Sequence, residues 1–318
     1  MRPLTKALGV VVAALVIVSA AGLWQFDRFL DSSVNVPGEG TSFEIAPGTP
    51  FARVSEGLAE QGIISNPSLL RIYARFSGKA GSVHAGEYFI ESGTTTAGLM
   101  DQFTSGDVLL YSFTIVEGWN HWELLRALHA HPQIDAQLSE EDWPALLDEL
   151  GAETAHPEGL FLPETYRFPR NTSDRTVLKQ AYQLMQEVLG EEWPHRAEDA
   201  PVATPYEALI LASIVEKETA RVDERNRIAG VFARRLGKRM RLQTDPTVIY
   251  GIGPGFNGNL TRRDLRTDTP YNTYTRGGLP PTPIAMPGRD AIRAALHPAP
   301  GNELYFVATG LGDGSHKF

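Results

Sequence analysis

The feature that most constrains this chain is a long apolar run close to its N-terminus. The run extends from Ala7 to Trp24 and is interrupted only by glycine and Ser19. A helix that spans a bilayer needs roughly 20 such residues, so the run predicts a single transmembrane helix. Arg2 and Lys6 precede the run, and basic residues on that side predict that the N-terminus faces the cytoplasm.

A cleaved signal peptide is the alternative, because Val18-Ser19-Ala20 resembles a small-residue cleavage site. The apolar run is long for a signal peptide, which favours an anchor that is retained. We therefore expect residues 1–30 to form a cytoplasmic tip and a membrane anchor, with residues 7–26 in the lipid bilayer. The predicted location is the cytoplasmic (inner) membrane, with the body of the chain on its outer, periplasmic side.

The composition of the whole chain narrows the class of protein further. The chain has 318 residues, a formal net charge of −9 and no cysteine. The negative charge argues against nucleic acid as a partner, because phosphate neutralisation needs a basic surface. Without cysteine there is no disulfide, cysteine–zinc site or thiol nucleophile. The eight histidines form no i, i+4 pair, and the sequence predicts neither a metal site nor a cofactor.

Two domains are predicted beyond the anchor. Residues 31–41 combine serine, proline, glycine and acidic residues without periodicity, which predicts a linker. Residues 42–117 predict a small α+β domain of the β-α-α-β kind. Its predicted elements are strands at 42–45, 86–90 and 108–116 and helices at 52–60, 67–76 and 96–103. A larger domain, residues 118–318, follows.

The larger domain is predicted to contain several helices, and residues 252–288 are predicted to be mostly loop. The predicted elements are helices at 122–129, 142–150, 176–189, 204–221, 223–236, 245–251 and 289–296, and a strand at 303–308. Asp245 is predicted to cap the short helix that follows it. Eight basic residues lie between Arg221 and Arg241. Such a run is usually a solvated face, and alternatively it meets an anionic polymer or the membrane surface.

The helix predicted at 204–221 carries the main candidate for chemistry. Thr204 can cap its start, Pro205 suits the first helical position, and Glu207 occupies the capping-box position. Glu216 lies about three turns into the helix, directly after apolar residues that should face the core. We expect a groove above the neighbouring small side chains, with Glu216 on its floor, that could hold a polymer. The small residues are Ala212, Ser213, Thr219 and Ala220.

Burial of Glu216 would give it a definite chemical property. Because burial disfavours the charged form, the pKa of such a glutamate is expected to rise, so that it stays protonated near neutral pH. A protonated glutamate in a cleft can serve as the general acid for glycosidic cleavage. The alternative is an exposed glutamate that pairs with a base on the same helix.

The loop at 252–288 is the second candidate region. It contains YNTY at 271–274 and GGLPPTPIAMPG at 277–288, which place aromatic rings and amides on a proline-stiffened segment. Aromatic faces with asparagine and threonine side chains suit sugar rings. Stiff proline-rich loops are also common as plain connectors.

Several long stretches, taken together, resemble one family. They are EGLFLPETYRF at 158–168, LASIVEKET at 211–219, LQTDPTVIYG at 242–251, TPYNTYTRGGLPPTPIAMPG at 269–288, LHPA at 296–299, LYFVATG at 304–310 and the final HKF. With the anchor, they make the chain similar over nearly its whole length to the endolytic murein transglycosylases, the MltG/YceG-like family. The resemblance implies a small LysM-like domain followed by a mixed α/β catalytic domain of the YceG-like type.

The resemblance also implies roles for particular residues. The family's catalytic glutamate falls on Glu216, which burial had already selected. Family positions expected to line the glycan cleft fall on Gln243, Asp245, Tyr271, Asn272 and Tyr274, and Glu218 is a further candidate for substrate contact. The family's catalytic domain usually continues past the H-x-F motif, so we expect residues 118–318 to be C-terminally incomplete.

The implied activity is that of a lyase, a peptidoglycan lytic transglycosylase. It would cleave the MurNAc–GlcNAc bond within nascent glycan strands and leave 1,6-anhydroMurNAc ends. One carboxylate suffices for this reaction, whereas glycosidases that use water normally need two. Glu218 points about 200° around the helix from Glu216, which makes a two-acid mechanism within this helix awkward. Asp245 stays open as a second acid from elsewhere.

Two other functions stay open at the level of sequence. A membrane-anchored, non-catalytic peptidoglycan-binding scaffold would tolerate the loss of an acid at position 216. A muramidase-type hydrolase would release reducing ends instead of anhydro ends. The resemblance implies peptidoglycan glycan strands as substrate and peptidoglycan synthases of elongation or division as partners.

Overall fold

Helix α1 (Arg2–Asp31) opens the computed structural model, which describes residues 2–318 and gives the backbone alone for residues 2–7 and 10. Within this helix, Val11–Asp31 is long and apolar enough to cross a membrane, judged by length and composition. Its large apolar side chains from Val11 to Trp24 are exposed, as a lipid-facing surface requires. The predicted apolar N-terminal helix is confirmed. The side chains of Arg2 and Lys6, which predict its orientation, lie outside the described part.

The C-terminal end of α1 is part of a folded unit. The helix continues past Trp24, and Phe29 and Leu30 pack into a hydrophobic core. Val34, in the predicted linker, is buried and donates its backbone N–H to the Thr94 carbonyl at 2.8 Å. The segment after α1 is therefore hydrogen-bonded into the fold at its start.

The chain divides into two compact units, Met1–Tyr111 and Ser112–Phe318. The elements of the first unit after α1 are β1 (Thr41–Ile45), α2 (Phe51–Glu60), α3 (Pro67–Phe76), β2 (Gly86–Ile90) and α4 (Thr96–Ser105). Strands β1 and β2 pair antiparallel, with Thr41 opposite Ile90. The predicted β-α-α-β order is confirmed. Phe103 packs edge-on to Tyr88, with ring centroids 4.7 Å apart, at the centre of this core.

The second unit combines helices with short strands, which confirms the predicted mixed α/β class. Its elements are β3 (Leu110–Thr114, which crosses the boundary), α5 (His121–Ala130), β4 (Ile134–Asp135), α6 (Trp143–Glu149), β5 (Thr165–Pro169), β6 (Thr172–Ser173), α7 (Asp174–Glu192), α8 (Pro205–Glu218), α9 (Val222–Gly237), α10 (Asp245–Ile252), α11 (Arg289–Leu296), β7 (Val307–Ala308) and β8 (His316–Lys317). Strand β3 pairs with β5, β4 with β6, and β7 with β8. Helix α8 packs against α9, α10 and α11 and is the central helix of the unit.

Two strand predictions were too long. The strand predicted at 108–116 spans Leu110–Thr114, and that predicted at 303–308 is reduced to Val307–Ala308. Strand β7 pairs with the two residues of β8. Before β7, the Leu304 carbonyl accepts a hydrogen bond from the Arg235 side chain at 2.6 Å. In a strand, this carbonyl would instead accept a hydrogen bond from a neighbouring strand. Apolar alternation alone does not reveal whether such a neighbour exists.

Candidate active site

Helix α8 places Glu216 through a well-defined start and a fully buried middle. The Thr204 hydroxyl accepts the backbone N–H of Glu207 at 3.1 Å, and Pro205 occupies the first turn, as predicted. The carboxylate of Glu207 accepts the N–H of Ala203 at 2.6 Å, one residue before the position that a capping box would use. Residues 208–215 are all buried, so the helix is fixed on all sides before it reaches Glu216.

The Glu216 carboxylate is buried and hydrogen-bonded on both oxygens. Its side chain is 5% exposed. One oxygen accepts from Nη2 of Arg225 at 2.9 Å, and the other accepts the backbone N–H of Gly288 at 3.0 Å. The alternative of an exposed glutamate paired within its own helix is wrong, because Arg225 lies on α9.

Burial raises the pKa of Glu216 above its ordinary value. The Gly288 N–H and the Arg225 guanidinium oppose that rise, since both favour the charged form, whereas the nearby carboxylate of Glu117 adds to it. The net direction confirms the predicted rise in pKa. The catalytic role of Glu216 remains a prediction at this point.

Backbone hydrogen bonds between residues 118–119 and Met286 hold the segment that leads to Gly288 near Glu216. Gly118 donates to the Met286 carbonyl at 2.9 Å, and Met286 donates to the Trp119 carbonyl at 2.7 Å. Further along the same helix face, Ser213 Oγ accepts the N–H of Ile284 at 3.0 Å. The expected open groove above the small residues is therefore wrong. Ala212 and Ser213 are fully buried, and the small side chain of Ser213 lets the backbone of Ile284 approach closely.

The basic run after α8 is only partly a solvated face. Arg225 and Arg235 are buried, at 4% and 7% exposed. Arg235 donates to the carbonyls of Leu304 and Leu242, at 2.6 and 2.5 Å. The interpretation of the run as a uniformly solvated face is wrong for these two residues. Their guanidinium groups donate to acceptors inside the fold, because a buried guanidinium must have hydrogen-bond acceptors.

Glu218 has a different set of partners from Glu216. The Thr244 hydroxyl donates to its carboxylate. Burial raises the pKa of Glu218, and the nearby carboxylate of Asp245 adds to the rise, whereas the hydrogen bond from Thr244 opposes it. The two glutamates therefore face different surroundings, as expected for side chains about 200° apart on a helix.

Asp245 lies beside this second acid but does not cap α10. The helix begins at Asp245 itself, preceded by Thr244 without a side-chain cap. The carboxylate of Asp245 instead accepts the hydroxyl hydrogen of Tyr274 at 2.5 Å. The capping prediction is wrong because a partner across the loop takes the carboxylate. Burial raises the pKa of the Tyr274 hydroxyl, and the hydrogen bond to Asp245 raises it further.

The remaining predicted site residues take three different positions. Gln243 is exposed, with a positive φ of 51°, and its N–H donates to the Thr273 carbonyl. Tyr271 is half-buried, with its hydroxyl 2.9 Å from that of Thr282. Asn272 is 1% exposed, and its amide nitrogen donates to the carbonyls of Asp264, Leu265 and Thr267. Its geometry is that of a side chain that organises the loop.

A hollow of about 260 Å³ opens beside Lys217, the residue after Glu216. The residues that line it include Trp122, Phe256 and Arg126. The Lys217 ammonium donates to the carbonyl of Gly118 at 3.0 Å. An aromatic wall next to charged groups is a chemically suitable surface for a sugar ring.

Sequence reasoning missed three residues of this site, namely Glu117, Trp122 and Arg225. Trp122 lies at the start of α5, which a capping box of Asn120 and Glu123 fixes. That box is visible in the sequence and could have drawn attention to the tryptophan. Nothing local distinguishes Arg225 from the other basic residues around it, since its role depends on what it contacts.

Comparisons with known proteins assign this chain to a class. The model of the YceG-like family matches residues 43–318. The crystal structure of a yceG-like protein from Listeria monocytogenes superposes with a TM-score of 0.54 at 26% identity, and covers 86% of this chain and 95% of that one. The chain belongs to the YceG-like family.

Curated relatives carry a more specific name. The chain is 29% identical over 290 residues to the endolytic murein transglycosylase of Bacillus subtilis (strain 168), spanning 86% of this chain and 79% of that protein. It is 26% identical over 329 residues to the endolytic murein transglycosylase of Streptococcus pneumoniae serotype 2 (strain D39 / NCTC 7466), spanning 92% of this chain and 59% of that longer protein.

Proposed function

We propose that this protein is an endolytic lytic transglycosylase that cleaves the MurNAc–GlcNAc bond within peptidoglycan glycan strands. The observation that carries the proposal is Glu216, a buried carboxyl group with a raised pKa. The residue after it, Lys217, lines a surface hollow whose lining also includes Trp122 and Phe256. The names of the curated relatives support the same activity.

Glu216 would act twice in the reaction. As a general acid it gives its proton to the oxygen between MurNAc and GlcNAc, so that the bond to C1 of MurNAc breaks. As a carboxylate it then takes the proton of the MurNAc C6 hydroxyl, whose oxygen closes onto C1. The product ends in 1,6-anhydroMurNAc, no water is consumed, and Glu216 is protonated again at the end.

Product chemistry tests this proposal directly. The full chain in detergent is incubated with purified peptidoglycan, in parallel in H₂¹⁶O and H₂¹⁸O, and the fragments are analysed by mass. We expect internal fragments with 1,6-anhydroMurNAc ends and no ¹⁸O. Reducing ends that carry ¹⁸O would instead establish the hydrolase alternative, with a second carboxylate still to be found.

The other predicted site residues are proposed as substrate contacts to different degrees. Gln243 and Asp245 are exposed and can meet a glycan directly, whereas Tyr271 and Tyr274 present partly exposed rings. Asn272 would act by holding the loop, and Glu218 through its hydrogen bond with Thr244.

The β-α-α-β unit is proposed as a LysM-like glycan-binding module. We expect the protein to sediment together with intact peptidoglycan and to stop doing so once the glycan strands are removed. Unchanged co-sedimentation of the protein would refute the module.

Helix α1 supports a proposal about the location of the protein. We propose a single-pass protein of the cytoplasmic membrane, with its N-terminus inside and its catalytic unit outside, near the peptidoglycan synthases of elongation or division. The full chain is expected to stay in the membrane pellet after an alkaline carbonate wash, because Val11–Asp31 is long enough to span the bilayer. Release into the supernatant would contradict the anchor.

A further inference from the structure

A second carboxylate, Glu117, shares the arginine of the proposed acid. Nη2 of Arg225 lies 2.9 Å from an oxygen of Glu216 and 3.2 Å from an oxygen of Glu117. Because both carboxylates contact the same nitrogen, they are held close to each other. Glu216 is 5% exposed and Arg225 4%, whereas Glu117 is 47% exposed. The three groups form a carboxylate–guanidinium–carboxylate triad that reaches from the interior to the surface.

The buried charge of Arg225 needs a counter-charge while Glu216 is protonated, and the triad supplies one. A general acid must carry a proton at the start of the cycle, and a buried arginine at 2.9 Å favours the ionised form instead. If Glu216 alone compensated Arg225, its protonation would leave a buried positive charge without a partner, which is costly. In the described part of the chain, the ion pairs of Arg225 are with Glu216 and Glu117, and its Nε has no hydrogen-bond partner.

We propose that Glu117 is a positioning residue for the reaction: it neutralises the buried guanidinium of Arg225 while Glu216 carries the catalytic proton. This inference rests on the proposed function. With Glu216 protonated, Glu117 and Arg225 form a neutral pair. With Glu216 ionised after proton transfer, Arg225 stabilises it, and the later proton from the C6 hydroxyl restores the starting charge.

The other groups around Glu216 cannot replace Glu117. From its own helix, Lys217 brings a second positive charge, and its ammonium is engaged by the Gly118 carbonyl. From the loop, Gly288 contributes a backbone N–H, which also favours the ionised form. Arg289, the next residue, pairs with Glu191 and Glu192. Glu117 is therefore the negative charge that faces this site, consistent with its raising effect on the pKa of Glu216.

The absence of a side chain at Gly288 leaves room for the Glu117 carboxylate. A Cβ built on Gly288 would overlap the carboxyl group of Glu117, although the φ of −73° at this residue is ordinary. A side chain at position 288 would therefore displace the Glu117 carboxylate, the flexible end of a 47% exposed side chain. One residue thus gives its N–H to Glu216 and leaves room for Glu117.

The test is the pH dependence of kcat/KM for anhydro-product formation by the full chain and its Glu117→Gln variant. The acid form of Glu216 is lost as the pH rises through its pKa, so this pKa sets the alkaline limb. Removing the negative charge of Glu117 lowers that pKa. We expect the alkaline limb to move to lower pH by about one unit, which makes kcat/KM about tenfold lower on that limb.

Further variants separate charge from structure. Glu117→Asp keeps the charge and is expected to return the limb towards that of the parent. Glu149→Gln, which removes another exposed glutamate beside an arginine, should leave the profile unchanged. A Glu117→Gln profile with an unmoved limb, even at lower overall activity, would overturn the inference, as would equal effects of Gln and Asp. Absence of anhydro product from the parent would instead refute the proposed function.

Discussion

Glu216→Gln is expected to lower the rate of anhydro-product formation by at least about 10³-fold, because one group provides both proton transfers. Glutamine keeps the shape of the side chain but cannot donate the proton that the leaving oxygen needs. The measurement is the initial rate of 1,6-anhydroMurNAc ends released from purified peptidoglycan, compared with the parent chain. Thermal unfolding of both proteins shows whether the loss reflects chemistry alone.

Glu218→Gln is the matched control on the same helix. The pKa of Glu218 is also raised. Its carboxylate, however, accepts a hydrogen bond from Thr244 and lies near the carboxylate of Asp245, whereas Glu216 contacts Arg225 and Gly288. We expect this variant to retain anhydro product, with any loss confined to substrate affinity. Activity that survives Glu216→Gln and disappears in Glu218→Gln would assign the acid to Glu218. Activity in both variants would remove the carboxylates of α8 from the chemistry.

Gly288→Ala is expected to lower kcat/KM about tenfold on the alkaline limb of the pH profile, the same effect as that expected of Glu117→Gln. The added methyl group would overlap the Glu117 carboxylate, and this flexible, 47% exposed side chain would move away from Arg225. The 3.0 Å hydrogen bond from the Gly288 N–H to Glu216 is expected to remain, because the backbone need not move. The measurement is the pH dependence of kcat/KM for anhydro-end formation.

Gly277→Ala provides the control within the same loop. A Cβ at Gly277 has no other atom within 4 Å, and this residue does not have a positive φ. We expect parental activity and an unchanged or slightly raised melting temperature, because alanine restricts the unfolded chain more than glycine does. Equal losses in the two variants would show that the loop tolerates no substitution, and would contradict the specific role given to the Gly288 position.

Patterns along the chain were sufficient for the elements of the small unit. The strands Thr41–Ile45 and Gly86–Ile90 and the helices between them agree with prediction to within a residue or so. Here the period of the apolar residues and the turn residues act locally and agree with the final packing. The short strands of the larger unit were harder to predict from the sequence. Strand β7, for example, depends on its pairing with β8.

The contacts of the predicted site residues could not be read from the sequence. Asn272 shows why: the amide of this predicted cleft residue donates to three carbonyls of residues 264–267. A buried amide must satisfy its donors, but which acceptors it finds depends on how the loop folds back. Asp245 gave the same lesson, since a tyrosine 29 residues along the chain takes the carboxylate that was expected to cap a helix.

The sequence by itself determined the N-terminal apolar helix and helix α8 with its capped start, and it selected Glu216 as the candidate acid. These follow from local length, capping and apolar spacing, which act within a few turns of helix. Only the tertiary structure decided what the acid faces. Arg225 lies on the next helix, Gly288 is 72 residues from Glu216, and Glu117 is 108 residues from Arg225. Such partners are selected by the packing of separate segments, because a buried charge is stable only where other elements supply its counter-charge and hydrogen bonds.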